Sequence, residues 1–244
     1  MRTGIAILLT AMSFSAILVS VQAQQPTERL LEMLKGTGKS TTGDLKEPRI
    51  AQGLKEALRI GTEQAVTRTG TRNGYFSNPL IKILLPDTLQ PVEKGLRLVG
   101  YGEQVDAFVL SMNRAAEKAA PHAKQIFWGA ITSMTFEDAR QILGGGDTAA
   151  TDFFKTKTSE KLYRSFRPAV DDTMNQVGTV KKYQELLDQA QNLPLVKAES
   201  LDVGHYVTNK ALDGLFLVVA EEERRIRRDP AARVTEILQE VFGR

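Results

Sequence analysis

Residues 207–220 read VTNKALDGLFLVVA. Its apolar side chains fall nearly all the way round a helix and leave no clear polar face, the mark of a helix at the centre of a core. The run passes directly into EEERRIRR at 221–228. There Glu221 stands four before Arg225 and Glu223 four before Arg227, the spacing at which opposite charges on one helix meet. Asp202 caps the start. The expected fold is therefore all-α: a single multi-helix domain of short to medium helices around a buried helix in the C-terminal half.

The flanking sequence supplies the helices to surround it. Downstream, Asp229-Pro230 reads as cap and first turn of a final helix carrying Val234, Ile237, Leu238, Val241 and Phe242. Upstream, Tyr183, Leu186, Leu187 and Ala190 mark a helix that ends near Pro194. Thr158 reads as the cap of a helix with Leu162, Tyr163, Phe166, Val170, Met174 and Val177, stopped by Gly178. Asp147 reads as the cap of a shorter one with Phe153 and Phe154. Thr135, with Asp138 three residues on, forms a capping box for a helix to Leu143. Pro121 suits a first helical turn, with helix to about Ser133. The most regular stripe is Val105, Phe108, Val109, Met112, Ala115, Ala116 and Ala119, with Asp106, Arg114, Glu117 and Lys118 off it. Asp87 and Pro91 open a helix through Leu98. After Pro48, the positions Ile50, Leu54, Ala57, Leu58, Gly61 and Ala65 share one face. The one strand-like run, Leu80 to Leu85, is bracketed by Pro79 and Pro86 and is expected to cross the helices as an extended segment. No long linker divides residues 49–244, which read as one domain.

The N-terminus carries a different pattern. Arg2 precedes an uncharged apolar stretch from Ile5 to Val21, then Val21-Gln22-Ala23 and the polar Gln24-Gln25-Pro26. This is the layout of a secretory signal peptide over residues 1–23, cleaved after Ala23. Residues 24–48 read as a flexible segment. They include Gly-Lys-Ser-Thr at 38–41, which lacks the earlier glycine and the preceding strand of a phosphate loop. The expected location is the periplasm or the exterior, with no membrane span after signal removal.

Composition narrows the chemistry. The chain has no cysteine and two histidines. Disulfides, thiolate nucleophiles, cysteine zinc sites and lipid attachment at an N-terminal cysteine are excluded, and no metal or other cofactor is expected. The 32 basic and 29 acidic residues are interspersed, with no block to track a phosphate backbone, so nucleic acid is not an expected partner.

The segments at 105–119 (VDAFVLSMNRAAEKA), 145–151 (GGDTAAT), 211–216 (ALDGLF) and 229–233 (DPAAR) resemble a family of exported bacterial helical proteins, domain-of-unknown-function family 4197. The likeness covers nearly the whole chain after the leader. It implies bacterial origin, export and a helical fold, and transfers no activity and no functional residue.

Candidate sites are few. Asn113, Arg114 and Glu117 lie within one turn of each other and offer donors and an acceptor for an anionic or amide-bearing ligand, or form an internal ion pair between helices. Gly145, Gly146, Asp147 and Thr148 lead into a helix start whose free N–H groups suit an anion, unless Asp147 fills them as a cap. His205, near Asp202 and Tyr206, is a conceivable general base, yet no serine elbow is present to receive its help. The acidic Asp171, Asp172 and Glu221 to Glu223 read as solvated helix faces. No residue is assigned a catalytic role. The expected function is a non-catalytic envelope protein that binds an unidentified envelope ligand or protein; an envelope hydrolase acting on a polymer or lipid is the alternative. Intact-mass measurement of the exported protein should give a chain beginning at Gln24, and a chain still beginning at Met1 contradicts the leader.

Overall fold

A computed structural model of the protein describes residues 47–176, 178, 181, 185, 202–229 and 239. The expected leader, the segment up to residue 46 that reads as flexible in sequence, and the helices expected around Tyr183 to Ala190 and after Pro230 fall outside the described residues. Within them the elements are α1 (Glu47–Gly70), α2 (Gln90–Leu98), α3 (Gly102–Ala119), α4 (Ala123–Thr132), α5 (Phe136–Gly144), α6 (Ala149–Gln176) and α7 (Val203–Arg228). Short 3-10 turns precede α2 and α4. No strand occurs among the described residues, so the all-α class holds. Among them, too, no helix is long and apolar enough to cross a membrane.

α7 is the axis. It packs along α6 and α1, and α3 packs against α6. Val207, Ala211, Leu215 and Val218 are almost completely buried. Phe216 meets Phe127 of α4 edge-on with ring centroids 6.2 Å apart, and Phe127 meets Phe154 of α6 at 5.1 Å. Such edge-to-face pairs add to the energy of area burial. One line of α7, Lys210, Asp213 and Leu217, stays exposed, so the helix is covered on most sides rather than all.

Several local expectations are corrected. Thr158 caps nothing. It lies inside α6, which runs unbroken from Ala149 to Gln176, and its hydroxyl donates to the Phe154 carbonyl at 2.6 Å. Thr62, Thr69, Thr173 and Thr208 bond back one turn in the same way, which satisfies a hydroxyl inside a packed helix face. Asp147 does not cap α6 either; its carboxylate pairs with Arg228. The cap comes from α7: the Glu223 carboxylate accepts from the Ala150 and Thr151 N–H groups, each at 2.9 Å. Glu223 also pairs with Arg227 at 3.0 Å as the spacing implies, but Glu221 reaches across to Arg68 at 3.1 Å instead of Arg225. Glu117 lies off the apolar stripe yet is buried. The capping box of Thr135 and Asp138 and the Asp202 cap are present as read.

Leu215→Ala should lower unfolding stability by about 2–5 kcal/mol, as large-to-small changes in a packed core do. Leu217→Ala, on the exposed line, should shift it by roughly 0.5 kcal/mol or less. Equal denaturation midpoints for the two variants would remove α7 from the core.

Candidate functional site

α1 ends at Gly70, and the chain must travel from there to α2 across the faces of α3 and α7. It does so without a helix or a sheet to satisfy its main-chain groups. Its own turns do part of that, with the Gly74 N–H donating to the Thr71 carbonyl at 2.9 Å and the Asn78 N–H to the Tyr75 carbonyl at 3.1 Å, and side chains do the rest. Asn73 takes a positive φ of 69°, which asparagine tolerates. Gly74 sits so close to α1 that a Cβ there would lie 2.3 Å from the Arg68 carbonyl oxygen. Tyr75 then turns into the core. It is completely buried, and its hydroxyl donates to the Ala211 carbonyl of α7 at 2.6 Å. Gly214 makes room for its ring, since a Cβ at 214 would stand 2.7 Å from the Tyr75 ring. Burial away from water pushes the Tyr75 phenol above its ordinary range, so it stays a donor.

α3 supplies the next two holds. The Glu117 carboxylate accepts from the N–H groups of Tyr75 and Phe76, both at 3.2 Å. Arg114 bonds the same carboxylate and reaches the Asn73 side chain at 2.6 Å. The Asn113 amide accepts from the Ile83 N–H at 2.9 Å and donates to the Ile83 carbonyl at 2.8 Å. This is the two-way exchange that a neighbouring strand would make, performed by one side chain. From α7, the Tyr206 hydroxyl donates to the Leu84 carbonyl at 2.8 Å. Asn113, Arg114 and Glu117 thus lie together, and the buried polar atoms of Asn113 and Glu117 face the chain's own backbone.

The segment so fixed forms one wall of an open groove of about 680 Å³, the other sides coming from α2, α3 and α7. Leu80, Leu84 and Leu217 give it exposed apolar surface. Its charges are largely answered internally. Arg97 bonds Asp106 at 2.7 Å and Glu93 at 2.9 Å. That hydrogen bond from Arg97 holds the Asp106 carboxyl below the usual carboxylate range. Lys82 stands 4.1 Å over the Phe76 ring, and Lys210 6.0 Å over Tyr206. The sequence singled out the Leu80–Leu85 run only as an extended crossing. Tyr75, Tyr206 and Lys210 were not picked out as site residues, because nothing local distinguishes an aromatic on the core side of a turn from one that braces a groove.

The other candidates are placed as follows. At the turn of Gly145, Gly146, Asp147 and Thr148, the first free N–H groups of α6 are already bonded to Glu223. Gly145 is held tightly, since a Cβ there would lie 2.6 Å from the Ala149 side chain. His205 is exposed, with Nδ1 2.7 Å from the Tyr163 hydroxyl and Nε2 2.9 Å from the Asn209 amide. Asp202 does not orient the ring. It accepts from the His205 backbone N–H at 2.9 Å and pairs with Arg167 at 3.0 Å. That N–H first, and then Arg167, hold the Asp202 carboxyl below its ordinary range. Asp171 is tied to Arg167 at 2.7 Å.

A family profile described as protein of unknown function, DUF4197, matches residues 44–243. No curated protein and no solved structure matches the chain.

Asn113→Ala would strand the buried N–H and carbonyl of Ile83. It should lower stability by about 1–3 kcal/mol, the desolvation penalty of unmade buried bonds, in a urea titration. An unchanged midpoint would mean that Ile83 finds other partners.

Proposed function

The chain belongs to the DUF4197 family, described only as a protein of unknown function, and on the chemistry of its own surface we propose that it is a non-catalytic binding protein of the bacterial cell envelope, holding its ligand in the groove beside the 80–86 segment. The observation that carries this reading is the bracing of that segment. Asn113, Glu117, Tyr75 and Tyr206 all hold one irregular stretch of backbone in place. A wall fixed beforehand loses little further entropy when a ligand binds, which is what a binding groove needs. Concavity with a few fixed polar groups among apolar ones is the usual character of a ligand site. The leader-like pattern of residues 1–23 supports the envelope as its place of work.

The same surface gives an enzyme reading less support. Among the described residues, His205 is the histidine beside a carboxylate, and both its ring nitrogens face neighbouring side chains, Tyr163 and Asn209. The neighbouring Asp202 serves a helix cap and Arg167.

Native mass spectrometry of the protein purified from exported material should reveal a retained ligand. Leu84→Arg should reduce its occupancy several-fold without moving the melting temperature, because Leu84 is 56% exposed. Full occupancy in that variant would move the site elsewhere. Turnover of peptidoglycan, lipid or ester substrates that is lost in His205→Ala would make the protein an envelope hydrolase.

A further inference from the structure

The wall of the groove, residues 82–86, lies outside helix and turn and follows a turn that closes on the Asn78 carbonyl. Ile83 gives both its N–H and its carbonyl to Asn113. Along an extended chain successive residues present these groups to opposite sides. The outer edge therefore belongs to Lys82 and Leu84. On it, the Lys82 N–H turns back to the Asn78 carbonyl at 2.8 Å, and the Leu84 carbonyl accepts from Tyr206. Between these two bonds the Lys82 carbonyl and the Leu84 N–H have no hydrogen-bond partner among the described residues.

We propose that this edge docks an extended polypeptide segment of another protein, which adds to residues 82–84 as a strand. This rests on the groove reading above and names the class of partner. In a parallel pairing a single residue of the partner satisfies both groups: its N–H donates to the Lys82 carbonyl and its carbonyl accepts from the Leu84 N–H. An acyl chain fills an apolar groove but leaves both groups unanswered. A helix has already satisfied its own backbone and offers neither donor nor acceptor at this spacing. The side chains agree with a strand. Leu84, 56% exposed, stands on the edge, Leu80, 67% exposed, flanks it from the preceding turn, and Leu217 faces the groove from α7. They form apolar contacts for alternate residues of an incoming strand. Pro79 and Pro86 close the edge at both ends and Lys82 sits at its middle, which limits pairing to one short strand and guards against open-ended aggregation.

The test uses the full mature chain and fluorescein-labelled heptapeptides of alternating valine and threonine, followed by anisotropy. The unmodified peptide should bind saturably. The same peptide with its central residue N-methylated should bind at least tenfold more weakly. Leu84→Pro removes only an N–H that has no partner in the fold, at a position where proline suits extended backbone. It should weaken the peptide at least tenfold, while Leu84→Ala changes it no more than about threefold. Equal affinity for the methylated peptide, wild-type affinity in Leu84→Pro, or no saturable binding of the unmodified peptide overturns the proposal. If Leu84→Pro fails to fold, the comparison of the two peptides on the wild-type chain decides alone. Failure here, with a copurified ligand still displaced by Leu84→Arg, removes the strand inference and leaves the groove reading standing.

Discussion

Every main-chain N–H and carbonyl taken out of water must be hydrogen-bonded, and between Gly70 and Asp87 this protein has turns that bond part of its backbone but neither helix nor sheet for the rest. Most of the other features of the groove follow from that constraint. The chain has to cross the joint face of α3 and α7, so those helices carry polar side chains where apolar ones would pack more simply. Asn113 and Glu117 are buried because their partners are backbone groups of the crossing chain. Each alone would be costly to bury; bonded on all sides, they fix one conformation of the crossing. Gly214 is required by the same crossing, because Tyr75 and Ile81 both press against that point of α7.

The far end of α7 repeats the solution. Glu223 supplies the acceptor that the start of α6 lacks, so two helices far apart in sequence are joined through a helix terminus rather than by apolar contact alone. Glu222, buried beside it, meets Arg68 of α1 at 2.6 Å and Arg225 at 2.8 Å. Glu222 is buried while both arginines are about half exposed, so the pairs serve the choice of one arrangement more than net stability: breaking them leaves a charge in the core. All three glutamates of the acidic run thus reach other helices. Of the basic residues after it, Arg227 is mostly buried and bonds both Glu223 and the Ile142 carbonyl.

What could be read from the sequence was what repeats locally. The apolar run at 207–220, the stripe of α3 and the capping box at Thr135 are patterns of a few residues, and each gave an element in its place. The bracketing prolines marked a non-helical crossing at Leu80 to Leu85, but its first residues, Leu80 and Ile81, form a turn on Asn78 rather than an extended run. One cause of error is a partner distant in the chain; another is a local signature with two readings. Asp147 looked like a cap because the actual cap, Glu223, is invisible from the turn itself. Thr158 looked like a helix start because a threonine bonding back inside a helix has the same local signature. Asn113, Arg114 and Glu117 could be seen as one cluster from their spacing, but not that their polar atoms face residues 73–83. A buried asparagine among Val109, Met112 and Ala116 is the signal that bears on this. A polar residue on an apolar stripe needs a partner, though the stripe does not say which.

The central claim is that side chains hold the 71–86 crossing as firmly as the helices beneath it. Native-state hydrogen exchange of the Tyr75, Phe76 and Ile83 amides tests it directly. The account predicts that these three exchange only through global unfolding, with the same opening free energy as the core amides of α3 and α7. Exchange at the rate of exposed turn residues such as Arg72 would contradict it, and the groove would then have no fixed wall.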